Sequence, residues 1–114
     1  MTILKSLKES EIVTNFTIKE FKNFSDGFYI KVIAELFDKS ILYIKEYSDL
    51  QKRNYSYHWQ DENGKLLVRW DNAPHHKHIK TYPHHKHVDT TLEESYEVTL
   101  EDILKTISNK IKLQ

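Results

Sequence analysis

Alternating apolar and polar positions run through the middle of the chain and predict β-strands. From Phe28 to Leu36 every second residue is apolar, which is the period of a strand with one buried face. The segment 11–24 also fits a helical stripe, but its β-branched residues favour a strand. The same reasoning predicts further strands at 41–47, 53–61, 65–71 and 93–98. Short turns separate most of these runs, so we expect an antiparallel meander of about five to six strands.

Helical spacing of apolar residues predicts a helix at each end of the chain. Residues 2–10 form a short one. A longer amphipathic helix is predicted from Thr99, where Asp102 stands three residues on and can complete a capping box. Its apolar stripe consists of Ile103, Leu104, Ile107 and Ile111. We therefore expect an α+β fold in a single domain over 1–114, with both helices packed on one face of a twisted sheet.

The dipeptide Asn63-Gly64 predicts a tight hairpin turn between the strands at 53–61 and 65–71. A two-residue turn sets His58 opposite Arg69 and Ser56 opposite Asp71. A four-residue loop keeps the same faces together, whereas a loop of three residues would set aromatic side chains against charged ones. The period of two therefore places a polar group on one face of this hairpin.

The pentapeptide Pro-His-His-Lys-His occurs twice, at 74–78 and 83–87, and shows no core-forming period. It carries most of the histidines of the chain: His75, His76, His78, His84, His85 and His87. Free imidazoles titrate near pH ~6.5 and can serve as bases, acids or metal ligands. Because the segment follows Asp71 almost directly, we expect it to fold back over the polar face of the hairpin and form a composite site.

Composition narrows the functions that this site can serve. The chain has 17 basic and 17 acidic residues, so its net charge gives no global attraction to nucleic acid. There are no cysteines, which excludes disulfides and fits a reducing compartment. We expect a cytoplasmic protein, since no segment reads as a signal peptide or as a membrane span. Glycine-rich phosphate loops and nucleophile elbows are also absent from the sequence.

Acid–base catalysis is the first of three interpretations of the histidine segment. Cleavage of RNA by its own 2′-hydroxyl needs a base, an acid and a cation for the phosphate, and no metal. We assign Arg69 as the phosphate clamp, one loop histidine as base, another as acid, and Asp71 as the group that orients an imidazole. The candidate catalytic residues are His58, Arg69, Asp71, His75, His85 and His87. The candidate substrate contacts are Tyr57, Lys77, Tyr82 and Lys86.

Metal binding is the second interpretation. Each His-x-His pair projects to one side of an extended chain, so two pairs can supply four imidazole ligands to zinc or another divalent transition metal. The candidate ligands are His76, His78, His85 and His87. Their spacing matches no recognised zinc motif. The third interpretation is a solvated loop without chemistry, which the density of histidines disfavours.

Three segments carry a family resemblance. They are Tyr55-Ser56-Tyr57-His58-Trp59-Gln60-Asp61, Arg69-Trp70-Asp71-Asn72-Ala73-Pro74-His75-His76 and Thr81-Tyr82-Pro83-His84-His85-Lys86-His87. Together they resemble the TumE family of small prokaryotic toxins, over roughly residues 28 to 105. Trp70 stands where that family usually has Tyr or Phe.

The resemblance implies a toxin of a type II toxin–antitoxin module, with a helix-turn-helix antitoxin encoded nearby as its partner. It implies no particular reaction. From the site chemistry we predict that the toxin acts on RNA by phosphodiester cleavage. The alternatives are a non-enzymatic metal-binding domain and a toxin that modifies RNA or nucleotides. A meander also leaves an edge strand unpaired, so a homodimer is plausible.

Overall fold

The computed structural model describes residues 1–112 and places them in one antiparallel sheet with two helices. The strands pair in sequence order from the first to the seventh. The elements are α1 (Thr2–Glu9), β1 (Val13–Phe24), β2 (Gly27–Leu36), β3 (Ile41–Ser48), β4 (Arg53–Gln60), β5 (Leu66–Asp71), β6 (His85–Val88), β7 (Thr91–Glu94) and α2 (Leu100–Lys112). The predicted α+β meander with a helix at each end is confirmed, although the strand number is slightly higher than expected. The last two positions of the predicted domain lie outside the described residues.

One face of the sheet is covered by both helices and forms the core. Alternate residues of β2 to β5 are buried there because a strand turns every second side chain to the same face. They include Ile30, Val32, Ala34, Leu42, Ile44, Tyr57, Trp59, Val68 and Trp70. The helices contribute Ile3, Leu7, Ile103, Leu104, Ile107 and Ile111 to the same cluster. The apolar stripes predicted from helical spacing are therefore the packing surfaces.

The predicted capping box at the start of α2 is confirmed. The backbone N–H of Thr99 donates to Asp102 Oδ2 at 2.8 Å, and the backbone N–H of Asp102 donates to Thr99 Oγ1 at 3.3 Å. Together these bonds satisfy donors that the first turn of a helix otherwise leaves unpaired.

The register between β4 and β5 agrees with the prediction. His58 pairs with Arg69, and Ser56 pairs with Asp71. The predicted even loop length is wrong: the N–H of Asp61 donates to the carbonyl oxygen of Lys65 at 2.9 Å, which leaves a loop of three residues. The Asp61 carboxylate stabilises this loop by accepting the N–H groups of Asn63 and Lys65, both at 2.9 Å. An irregularity at the end of β4 absorbs the extra length and leaves the faces unchanged.

The second pentapeptide forms a strand that the sequence pattern did not predict. It contributes β6, which pairs with β5, and the predicted strand at 93–98 begins earlier, as β7. Because side chains alternate along β6, His85 and His87 lie on one face, whereas Lys86 lies opposite Trp70 on the other. The histidines thus join the face that the helices leave uncovered, which we call the open face.

Candidate functional site

The pairing of β6 with β5 assembles a group of five side chains on the open face. His87 is the register partner of Arg69, and His85 is the partner of Asp71. His76 approaches from the loop after β5, with its ring centroid 4.9 Å from that of His85 and 5.7 Å from that of His87. We call Arg69, Asp71, His76, His85 and His87 the histidine cluster. It combines the hairpin and both pentapeptides, as the alternation of the strands led us to expect.

Asp71 lies at the centre of the histidine cluster, with only 8% of its side chain exposed. Its Oδ1 accepts the backbone N–H of Ala73 at 3.0 Å and lies 2.9 Å from His85 Nε2. Its Oδ2 accepts Arg69 Nε–H at 3.2 Å and lies 3.8 Å from His87 Nε2. One buried carboxylate therefore contacts the guanidinium and the His85 imidazole directly, and it lies near the His87 ring without bonding to it.

His85 has both ring nitrogens engaged and a side chain only 3% exposed. Nδ1 lies 2.9 Å from the carbonyl oxygen of Pro83. A carbonyl only accepts, so Nδ1 carries a proton and Nε2 is left to face the Asp71 carboxylate. With its ring buried and both nitrogens beside oxygen acceptors, His85 is held in one orientation.

His87 differs from His85 in one respect. Its Nε2 is buried and has no hydrogen-bond partner among residues 1–112. Burial lowers the pKa of His87, and the positive charge of Arg69 lowers it further, although Asp71 acts in the opposite direction. A neutral imidazole with an unpartnered nitrogen is suited to accepting a proton or binding a metal ion.

His58 lies on the same face, beyond Arg69 when viewed from His87. Burial lowers its pKa, with a smaller contribution from Arg69, whereas the hydrogen bond with Gln60 raises it. Its ring packs edge-on against Tyr43, with centroids 5.8 Å apart. His58 therefore borders the histidine cluster without contacting the carboxylate at its centre.

Two of the predicted substrate contacts lie away from the open face. Tyr57 is fully buried on the helix-covered face, where its hydroxyl donates to Glu46 at 3.1 Å and accepts from Arg53 at 2.7 Å. Lys86 points to that same side, with Nζ 4.0 Å from Glu93 Oε1. These placements remove both residues from the set that a substrate on the open face can contact.

The remaining predicted residues lie in the loop between β5 and β6. His75, Lys77, His78 and Tyr82 are all exposed. The His78 ring lies edge-on to the His76 ring, with centroids 6.2 Å apart. The histidines whose ligand atoms lie within 4.8 Å of one another are His76, His85 and His87. Three of the four candidate metal ligands thus come together, and His78 stays outside that group.

A second polar cluster, around Arg53, was not predicted. Arg53 Nε donates to Glu46 Oε1 at 2.6 Å, Nη1 donates to Glu97 at 3.1 Å, and Nη2 donates to the carbonyl oxygen of Val98 at 2.9 Å. These bonds tie the segment before α2 to the covered face. The signal in the sequence is Glu46, a charged residue at an apolar position of β3 that requires a buried partner.

The fold and the site together define a small α+β domain whose helices cover one sheet face while a His–Asp–Arg cluster occupies the other. The family model described as Toxin TumE matches residues 3–111. The chain therefore belongs to the TumE toxin family, and the match extends beyond the range over which the sequence alone suggested the resemblance. It is a toxin of a toxin–antitoxin module, with a cognate antitoxin as its partner.

Other comparisons add no further relative: no curated protein and no solved structure matches the chain. Neither helix within residues 1–112 is long and apolar enough to cross a membrane.

Proposed function

We propose that this toxin cleaves RNA by proton transfer at the histidine cluster, in the cytoplasm of a prokaryotic cell. The observation that carries the proposal is the meeting of three groups on the open face. A guanidinium that can hold a phosphate, an imidazole with an unpartnered nitrogen and a second imidazole that can return a proton lie within one cluster. They are the cation, the base and the acid that attack by a 2′-hydroxyl needs.

The roles follow from exposure and hydrogen bonding. Arg69 is 41% exposed and can contact the phosphate from the surface. His87 is the base that takes the 2′-hydroxyl proton, since its Nε2 has no competing partner within the described chain. This atom is buried beside His76, so the loop that carries His76 must move aside for the hydroxyl to reach it. His76 is the acid, because it is the other cluster imidazole that is incompletely buried. His85, buried against Asp71, positions the other groups.

The chemical step balances without an added reactant. The 2′-oxygen bonds to phosphorus, the bond from phosphorus to the 5′-oxygen breaks, and the acid returns a proton to that oxygen. The products are a 2′,3′-cyclic phosphate and a free 5′-hydroxyl. Positioned proton transfer of this kind typically contributes ~10²–10⁴-fold to the rate.

A groove on the open face gives the RNA a path to the cluster. Its lining includes Tyr29, Lys45, Tyr47, Ser56 and Pro74. None of the five cluster residues lines this groove, but Ser56, which does, is the register partner of Asp71, so the groove adjoins the cluster. Aromatic side chains beside a cation are the usual elements of single-strand binding.

Induction in a bacterial host tests this assignment. We expect Arg69→Ala and His87→Ala to abolish growth arrest and RNA decay, because each removes a group that contacts the reacting phosphate or hydroxyl. His75 was a candidate from the sequence, but it is exposed and lies outside the histidine cluster, so His75→Ala is the matched control and should stay toxic. Equal toxicity of the parent, Arg69→Ala and His87→Ala at equal protein levels would overturn the proposal.

We expect the antitoxin to be a helix-turn-helix protein encoded nearby, and sequencing of the adjacent gene tests this directly. A homodimer is supported by the outer edge of β1, which has no further strand beyond it in the described part of the chain. Ile18 and Phe21 of β1 are also exposed, and apolar side chains along an unpaired edge favour association.

A further inference from the structure

Three imidazoles from two distant segments converge on one point of the open face. His85 and His87 come from β6, and His76 comes from the loop that follows β5. One ligand atom from each residue lies within 4.8 Å of the other two. The spacing of the residues along the chain matches no zinc motif, so only folding reveals this arrangement.

The hydrogen bonds around these rings leave nitrogens directed at a shared space. Nδ1 of His85 is committed to the carbonyl oxygen of Pro83, which turns Nε2 inward. A metal-binding histidine usually has its second nitrogen fixed in this way by an outer acceptor. Nε2 of His87 is buried with no partner among residues 1–112. A buried polar atom without a partner is unfavourable, and a bound cation would satisfy it.

We propose that His76, His85 and His87 bind one divalent transition-metal ion of the zinc class. Imidazole donors suit zinc and its neighbours, whereas calcium and magnesium prefer oxygen. Nitrogens bound to tetrahedral zinc at ~2.0–2.1 Å lie about 3.3 Å apart, so the longest separation must close by about 1.5 Å. His76 can supply this movement, because it lies in a loop and its side chain is only partly buried.

Asp71 makes the same position favourable for a dication. Its carboxylate oxygens lie 2.9 Å from His85 Nε2 and 3.8 Å from His87 Nε2. A buried negative charge this close offsets the positive charge of the ion. Three imidazoles also leave the fourth position of a tetrahedral ion open for a water molecule or another ligand.

Metal binding has a consequence for the proposed cleavage. The ion takes the nitrogens of His76 and His87 that would otherwise move protons. Saturating zinc is therefore expected to suppress cleavage. This effect rests on the proposed function, whereas metal binding itself does not.

The test uses the untagged, full-length protein after treatment with a chelator. Titration calorimetry with Zn²⁺ should give one tight site per chain. His76→Ala and His87→Ala each remove a ligand, so each should weaken binding by more than the ~10–100-fold typical of losing an outer partner. His75→Ala and His78→Ala flank His76 in the same pentapeptide and serve as matched controls, which should bind like the parent.

Two outcomes would overturn the metal site. One is weak binding of several ions per chain, with an affinity that all four variants lower equally. This result would indicate non-specific binding by the many histidines of the loop. The other is a Co²⁺ complex of the parent whose visible absorption is that of a six-coordinate hydrated ion, a measurement that needs no variant. A tight site with no detectable RNA cleavage would instead contradict the proposed function and leave the metal site standing.

Discussion

Neighbouring histidines of one strand acquire different chemistry from their surroundings. His85 and His87 both lie on the open face of β6, yet His85 has an acceptor at each nitrogen while His87 Nε2 has none within residues 1–112. The difference arises from Asp71 and Pro83, which both bond to His85. Two histidines of the same pentapeptide therefore differ in their contacts, and the proposed roles of His85 in positioning and of His87 in proton transfer rest on that difference.

Loss of the charge on Asp71 should destabilise the fold. Asp71→Asn keeps the shape of the side chain but weakens its bonds to Arg69 and His85, and hydrogen bonds to charged groups are each worth ~1.5–3 kcal/mol. Urea unfolding should show a loss of about that size. Asp89→Asn is the control, because Asp89 is exposed. Equal stability of both variants would mean that Asp71 does not organise the cluster.

Acidification should weaken the fold through His58. Its pKa is lowered by burial and by Arg69, so the folded state favours the neutral ring. The unfolded chain takes up this proton first, near pH ~6.5, and the stabilisation present above that pH is lost as the pH falls toward the folded pKa.

The comparison is the change in unfolding free energy between neutral and mildly acidic pH, for the parent and His58→Gln. Gln cannot titrate, so the variant should lose less stability on acidification. If the unfolding free energy changes equally in the two proteins, protonation of His58 does not destabilise the folded state.

At the scale of elements, some features follow from the sequence and others do not. The register of β4 and β5 could be predicted because aromatic and polar residues alternate without interruption on both strands. β6 could not, because its residues His85 to Val88 show no apolar alternation and its position depends on pairing with β5. The sequence therefore indicated a composite site. Which histidines meet there depends on the pairing of β6, which carries His85 and His87, and on the path of the loop that carries His76.

The first turn of the meander provides a test at this scale. A Cβ added at Gly27 would lie 1.9 Å from the carbonyl oxygen of Ser48, which is part of the backbone and cannot move aside easily. At Gly64 the nearest atom is 3.9 Å away, and only the positive φ of 87° opposes a side chain.

Gly27→Ala should therefore reduce stability by more than Gly64→Ala. At Gly64 the cost is that of holding an alanine in the left-handed conformation, ~1–2 kcal/mol. Chemical denaturation of both variants measures the difference. A Gly27→Ala variant as stable as the parent would contradict the close approach of β2 and β3 at that point.

At the scale of the whole molecule, the two faces of the sheet differ in what covers them. The helices bury the apolar side chains of one face, and the open face carries the histidine cluster with a groove beside it. The edge of β1 lies at the opposite end of the sheet from β7. Association through that edge would therefore leave the cluster accessible.

If the chain forms a homodimer through β1, Phe21→Glu should convert it to a monomer. A charge at this exposed apolar position opposes association along the edge. Light scattering after gel filtration measures the mass of each protein. Tyr96→Glu is the matched control, because Tyr96 is also exposed but lies outside β1. A parent that is already monomeric, or a dimer that survives Phe21→Glu, would exclude this edge as the interface.

Analysis of RNA ends tests the central claim most directly. Purified parent toxin, freed of metal by a chelator, is incubated with single-stranded RNA, and the products are identified by mass spectrometry. Proton transfer at the histidine cluster predicts 2′,3′-cyclic phosphate and 5′-hydroxyl ends, with the rate reduced ~10²-fold or more in His87→Ala. RNA that is modified without chain cleavage, or an unchanged rate in His87→Ala, would contradict the account.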